Sequence, residues 1–518
     1  MSASGVRVHP GAYLDSLLLM SATVTMEQCA QVEWAGAVMA TPRGLEELED
    51  GGFTGEELPA TSANDLVLAV RASDEAALEA ALAAGWRAAF AERDQARRHA
   101  AEHAPTSIAE AVRANPDVNV AIVSVPGEYA ALEAHHALTA GLHVLLFSDG
   151  VPLEEEVELK DRAAALGRLV MGPGAGTAVL GGTGLGFANA FSEKRGAGVG
   201  AVGVIAAAGT GAQEVSALLD RWGVGVSQVL GVGGRDLSER VDGRMAQLAV
   251  RALDDDPGTS AVLVVSKPPS STAAAKVMEQ CRSTPGVAVF FGLSDLTCSR
   301  DVQLVRTLEE GALAACRLVG SSSPRPSAGL REAVAAAAAR LDSGRRTIRG
   351  LFSGGTLCYE AQLILQDLVG PVYSNAPLRE RHALPAPEVA HVLLDLGAEE
   401  YTRGVPHPMI DPSGRLALLR RLANASDVAV VLLDVVLGHG SHPDPAGQLA
   451  PVCADLMTNG GPQVVAYVLG TEGDPQVYSR QRHTLEASGC LVPETNARAA
   501  YVAGALALRR PELAEERS

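Results

Sequence analysis

The chain has 518 residues, 47% hydrophobic and only 4% aromatic, with 42 basic against 61 acidic side chains for a net charge of −19. Its length suits roughly three domains of ~100–200 residues, and its Ala-, Val-, Leu- and Gly-rich make-up suits buried parallel strands covered by helices. The acidic balance argues against nucleic acid or an anionic membrane as partner, and the lack of a long apolar run or a leader-like start predicts a cytoplasmic protein.

Residues 1–105 read as a small N-terminal α/β domain. It has strands over 32–40 and 65–70 and a long Ala-rich helix over 74–103. From 106 to about 320 the pattern is strand–helix alternation, which predicts doubly wound parallel sheets. Strands are expected over 118–125, 143–147, 201–205, 226–230, 261–265 and 287–291. This stretch divides into a Rossmann-like domain over 106–195 and a flavodoxin-like domain over 196–325. The run Ser321–Ser327, with two prolines, reads as a linker. A second flavodoxin-like domain over 326–518 has strands over 347–352, 391–396, 428–436, 464–469 and 490–492.

Three glycine-rich turns each follow an apolar run. They are Gly172-Pro173-Gly174-Ala175-Gly176-Thr177, Gly209-Thr210-Gly211 and Ser353-Gly354-Gly355-Thr356. The last two lead directly into helical sequence. A strand, a glycine turn and a helix start put free N–H groups and a positive dipole end at one point, which suits phosphates and carboxylates. Gly209, Thr210, Gly211, Ser353, Gly354, Gly355 and Thr356 are therefore candidate anion contacts. Tight turns also need glycine without any ligand. The turn at 209–211 is neither a Rossmann fingerprint nor a P-loop.

Arg235, beside Gly233-Gly234, is either a bidentate anion clamp or a brace for its loop. Lys267 ends the strand over 261–265 and can face a ligand. Two clusters stand out further on. Arg403, His407 and Asp411 share a proline-rich loop. Asp434 lies inside an apolar strand, and Gly438-His439-Gly440-Ser441-His442-Pro443-Asp444 follows it. Histidines and carboxylates in strand-end loops suggest acid–base work. Asp444 also reads as a helix cap. A histidine spacing of three in a loop is no metal signature, and the seven cysteines form no CxxC pair, so no metal and no cofactor is expected. Cys358 alone follows a glycine turn, where a reactive thiol could sit.

Taken together, these loops resemble the FdrA family of the succinyl-CoA synthetase superfamily. The matching motifs run in family order. They include Val125-Pro126-Gly127-Glu128-Tyr129-Ala130, Phe187-Ala188-Asn189, Gly233-Gly234-Arg235-Asp236-Leu237-Ser238, Ser266-Lys267-Pro268-Pro269, His407-Pro408-Met409-Ile410-Asp411-Pro412, Leu433-Asp434-Val435-Val436 and Asp474-Pro475-Gln476. The resemblance implies a CoA-binding-like Rossmann domain followed by flavodoxin-like, succinyl-CoA-synthetase-type domains. It also implies a subunit of an oxamate carbamoyltransferase of allantoin (purine) breakdown, with carbamoyl phosphate, a small amide and companion subunits as partners. His407, His439 or His442 would then move protons, with Asp411, Asp434 or Asp444 orienting them. Arg235, Lys267 and Arg403 would supply countercharge. The superfamily's Gly-His-Ala-Gly loop is absent, and residues 292–305 hold no histidine. Two alternatives remain: an NDP-forming acyl-CoA synthetase-like ligase, and a non-catalytic scaffold that binds an acyl phosphate or CoA.

Overall fold

The structure is a computed structural model. It describes residues 3–515 apart from 13, 15, 54–60, 100–104, 193–199, 299, 301, 323, 403 and 404. The chain forms two compact units. The first holds Met1–Thr106 with Glu400–Pro406, and the second holds the rest.

In the first unit β1 (Ala3–His9), β2 (Val32–Met39) and β3 (Leu66–Ala72) make an antiparallel sheet in the order β1-β3-β2. Helices Ser16–Glu27 and Glu75–His99 complete it, with a short helix Pro42–Asp50 capped by Thr41. Alternation along β3 sends Leu66, Leu68 and Val70 into one apolar cluster and Val67 and Ala69 into another. The sheet is therefore covered on both faces.

The second unit holds three sheets. β4 (Val120–Val123), β5 (His143–Leu146) and β6 (Val170–Met171) are parallel. A seven-stranded sheet contains β7 (Thr177–Leu180), β8 (Thr183–Gly186), β9 (Ala201–Ala207), β10 (Gly225–Gly231), β11 (Ala261–Ser266), β12 (Gly286–Phe290) and β13 (Val302–Val305). Its order is β13-β12-β11-β9-β10-β7-β8, parallel except for the β7–β8 hairpin. A third sheet, β15-β16-β14-β17-β18, is wholly parallel. Its strands are β14 (Thr347–Phe352), β15 (Val372–Tyr373), β16 (His391–Asp395), β17 (Val428–Val436) and β18 (Gln463–Leu469). The chain is thus an α/β protein of doubly wound sheets. β9, β11, β12, β17 and β18 are buried along their whole length, as continuous apolar runs between two helical layers should be.

Two features depart from the sequence expectation. The β7–β8 hairpin lies within the 106–195 stretch but pairs with β10, so the chain passes between sheets at Gly172–Gly176 and not near 195. The first glycine turn therefore leads into a strand. A Cβ on Gly172 would lie 2.2 Å from the Leu146 carbonyl oxygen, and one on Gly233 would lie 2.6 Å from the Gly172 backbone. Close backbone crossing, not ligand binding, accounts for these glycines. The run at 490–492 forms only a single bridge, Leu491 to Val465.

A buried ionic knot joins the first and second of these sheets. Lys160 and Glu156, four residues apart on helix Leu153–Ala165, are both wholly buried. Lys160 Nζ donates to Glu156 Oε1 at 2.9 Å, Asp236 Oδ1 at 2.8 Å and the Val232 carbonyl at 2.9 Å. Asp236 also accepts the Ala246 N–H at 2.9 Å. Arg235 donates through Nε to Glu156 Oε2 and through Nη2 to the Val151 carbonyl, each at 2.7 Å. All three ammonium hydrogens are used, which is the condition under which a buried charge is tolerated. Lys160→Met should lower the unfolding free energy by about 3–5 kcal/mol in urea titration, because it strands two buried carboxylates. A loss near zero, as for an exposed pair, would contradict the knot's role. Among the described residues no helix is long and apolar enough to cross a membrane.

Candidate functional site

β9 and β14 each end in a glycine turn that starts a helix, Gly209–Arg221 and Gly355–Val369. The residues before these starts, Ala208 and Gly354, offer no side-chain cap of their own. The two starts meet. The Thr356 N–H donates to Thr210 Oγ1 at 3.2 Å. A Cβ on Gly354 would lie 2.9 Å from Thr210 Cγ2, and one on Gly211 would lie 3.0 Å from Thr356 Cγ2. Both glycines are there because the opposite turn leaves no room for a side chain.

The second turn is held from beneath by Asp434. This residue is the one charge in the nine-residue strand β17 and is wholly buried. Its carboxylate accepts the Ser353 N–H and the Gly354 N–H, each at 2.7 Å, and the Ser353 hydroxyl at 2.9 Å. Buried Arg415 donates to its Oδ1 at 2.9 Å and to its carbonyl at 2.7 Å. The N–H groups of Ser353 and Gly354 are therefore taken by a protein carboxylate. Asp395, at the end of β16, comes close to the same helix start: a Cβ on Gly355 would lie 2.5 Å from its Oδ2.

Lys267 follows Ser266, which pairs in register with Ala207, so it sits beside the first helix start. It is half-buried and has no ion-pair partner among the described residues. His407 lies across the turn, with Nε2 2.7 Å from where a Cβ on Gly397 would be. Its Nδ1 accepts the Met409 N–H at 3.3 Å, which assigns the ring proton to Nε2. Burial lowers its pKa, Asp434 pulls it back up and Arg415 adds a smaller lowering, so the net direction is down and the ring is a neutral N–H donor. Cys358 is buried and its thiol is pushed well above the usual range, by burial and by Asp395, which makes it inert.

The other candidates take supporting places. Asp411 accepts the Ser413 N–H at 2.9 Å and the Ser413 hydroxyl at 2.6 Å, and so fixes the start of helix Ser413–Arg421 and does not orient His407. His442 Nδ1 accepts the Asp444 N–H at 3.0 Å, and Asp444 caps helix Pro445–Leu456. His439 is exposed, with its N–H on the Ala188 carbonyl at 3.1 Å. Arg235 belongs to the buried knot. Arg403 lies outside the described residues. The motifs at 187–189 and 474–476 stitch loops together: Asn189 Nδ2 donates to Asp474 Oδ2 at 2.8 Å and to the Leu437 carbonyl at 3.0 Å. Among the described residues no three His, Cys, Asp or Glu side chains form a metal set.

The burial of several carboxylates is not legible in the sequence, and Glu214, which reads there as a possible cap of its own helix start, bonds elsewhere. Glu214, in the second turn of helix Gly209–Arg221, accepts the Tyr467 hydroxyl and the Asn496 N–H. Burial pushes its pKa up to about 7. Burial likewise pushes Glu360 up to about 8. Glu309 accepts Nε of Arg498 at 2.9 Å and Nη2 at 2.6 Å. Each reads locally as an ordinary exposed helix residue, and its partners lie 52 or more residues away in sequence. A cavity of about 840 Å³ opens beside β13, lined by Leu293, Leu304, Glu360, Leu363 and Tyr501. It lies further along helix Gly355–Val369 than the paired helix starts.

Comparison with known proteins identifies the framework. Residues 351–506 match the CoA-ligase family and residues 1–106 match the AllF heavy metal-associated domain. The "Uncharacterized protein YahF" of Escherichia coli strain K12 is 35% identical over 508 residues, covering 94% of this chain and 96% of that one. The chain belongs to the YahF family. Succinate–CoA ligase [ADP-forming] subunit alpha 2 of Archaeoglobus fulgidus is 31% identical over 163 residues, 31% of this chain and 54% of that subunit. The dinucleotide-forming acetyl-coenzyme A synthetase 1 of Ca. Korarchaeum cryptofilum covers 80% of this chain and 87% of its own at 15% identity, with a TM-score of 0.34.

These matches correct the enzyme class. The carbamoyltransferase reading, with carbamoyl phosphate, an amide, transferase companion subunits and purine breakdown, is overturned. The family model and the alpha-subunit relative are CoA ligases, and the model covers the β14–β18 sheet on which the transferase reading placed its histidines. The fold is CoA-ligase-like.

The Glu214 environment makes stability depend on pH. A carboxyl raised from 4.5 to about 7 in the folded state binds its proton more tightly there than in the unfolded chain. Its contribution is full below pH ~4.5, is lost as pH rises towards ~7, and is flat above. The unfolding free energy of wild type minus that of Glu214→Gln should fall across this window in urea titrations. A difference that does not change with pH would contradict the assignment.

Proposed function

We propose that the chain is the acyl- and CoA-handling component of an NDP-forming acyl-CoA synthetase-like ligase. An acyl phosphate would meet the CoA thiol at the paired helix starts. The observation that carries this is the Thr356 N–H to Thr210 Oγ1 contact, which brings two helix N-termini to one point beside Lys267, the first of them without a side-chain cap. Such a point favours a multiply charged anion. The CoA-ligase match over the second turn supports the same reading. The sequence motifs support the FdrA branch of that superfamily.

The step balances simply. The CoA thiolate bonds to the acyl carbon, the carbon–oxygen bond to phosphate breaks, and phosphate leaves with the electron pair. The thiol proton goes to phosphate or solvent. N–H groups of Gly209, Thr210 and Gly211 and the Lys267 ammonium would receive the phosphate, and His407 Nε2–H would donate to an oxygen of the transferring group. His407 acts as donor and not as phosphoryl carrier. Because the alpha-type relative is named as a subunit, a second, nucleotide-handling chain would supply the acyl phosphate.

The test is direct. Acetyl and succinyl phosphate offered with CoA should give thioester and free phosphate one to one. Lys267→Met and His407→Gln should each slow this by about 10²-fold or more, with melting temperatures near wild type. Phosphate release that ignores CoA, or phosphate from ATP found on His407, would defeat the proposal.

A further inference from the structure

The family matched by residues 1–106 is named for heavy-metal association, which implies a soft-metal site in the N-terminal unit. The donor set does not fit one. Soft and borderline metals in proteins are held by several thiolates and imidazoles converging on one point. Residues 1–106 contain one cysteine, Cys29, and three histidines, His9, His99 and His103. No pair of thiolates can be made.

The described donors are also engaged separately. The Cys29 thiol, just past helix Ser16–Glu27, donates to the Thr25 carbonyl at 3.4 Å. The His9 ring stacks on Trp86 with centroids 3.9 Å apart, and Trp86 stacks in turn on Phe90 at 4.1 Å. His9 Nε2 is buried without a hydrogen-bond partner, the kind of orphan that would mark a ligand. What surrounds it is an aromatic face and the cation Arg7, and both burial and Arg7 disfavour its charged form. A cation beside the ring also opposes a metal ion. The loop after His9 is fastened down, since Asp65 accepts the Gly11 N–H at 2.9 Å and the Ser62 N–H at 2.7 Å. Met26, a further soft donor, is wholly buried and lies against Gly85.

We infer that the N-terminal unit has the heavy-metal-associated fold without heavy-metal ligation. Its histidine and thiol are parts of an apolar scaffold. The unit does not load, carry or sense copper or zinc.

Full-length protein exposed to Cu(I) or Zn(II) and then dialysed against bicinchoninate or EDTA tests this by elemental analysis. The expected result is no metal above a protein-free control. Metal retained equally by wild type, Cys29→Ser, His9→Ala and the double variant His99→Ala/His103→Ala also supports the inference, because the ion then lies outside this unit. One equivalent retained by wild type and lost in any of these variants overturns it. A second readout uses the unaltered chain. Alkylation of Cys29 by iodoacetamide, followed by peptide mass spectrometry, should proceed at the same rate with and without either ion. Protection of Cys29 by Zn(II) or Cu(I) overturns the inference.

Discussion

Two helices meet at their N-termini in this chain, and the second unit is arranged around that meeting. Each helix start carries roughly half a positive charge. Brought together at the Thr210–Thr356 contact, two such ends repel unless negative charge lies nearby. The protein supplies part of it. Asp434 accepts two N–H groups of the second turn from below, and Asp395 lies against Gly355. Lys267 then adds a positive charge that no carboxylate among the described residues answers. Arg415, paired with Asp434 at 2.9 Å, adds a further positive charge. On the reading proposed above, an incoming phosphate would offset this local positive charge, even though the chain as a whole is acidic at −19.

Holding two like ends together also needs a rigid interface, and the buried polar groups provide it. Glu214 reaches from the first helix to Tyr467 on β18 and to Asn496. Glu360 reaches from the second helix to the Leu308 N–H at 2.7 Å and to Asn496 Nδ2 at 2.7 Å. Arg498 and Glu309 close the same seam. These groups are buried and bonded to one another across the seam, so they favour one docking of the two sheets. Their raised carboxyl pKa values are the cost of that burial.

Much of this frame was legible in the sequence because parallel strands buried on both faces are unbroken apolar runs. β14 and β17 fall where the sequence puts them. β1, β8 and β13 were not legible. β1 alternates weakly, β8 is four mostly exposed residues, and β13 is a four-residue edge strand. At the site, the two glycine turns and Asp434 were visible as anomalies: glycines before helices and a charge inside an apolar strand. Their meanings differ. Asp434 holds the turn, and Ser353 and Gly354 spend their N–H groups on it. The Glu156–Lys160 pair looks like an ordinary solvated i,i+4 pair, because the partner that draws it inward, Asp236, is 76 residues from Lys160. The loop over 438–444 carries two readings in the sequence, acid–base work or a helix cap at Asp444, and only contacts within the loop separate them. His442 and Asp444 resemble acid–base groups but fasten a helix start.

The account stands on the paired helix starts being an anion site. The most direct measurement is a crystal structure with a non-hydrolysable acyl phosphonate. The account predicts phosphonate oxygens within hydrogen-bond reach of the N–H groups of Gly209, Thr210 and Gly211, with the Lys267 ammonium on the same group. A phosphonate bound in the cavity beside β13, or against the loop holding His439 and His442, with both helix starts empty, would contradict it.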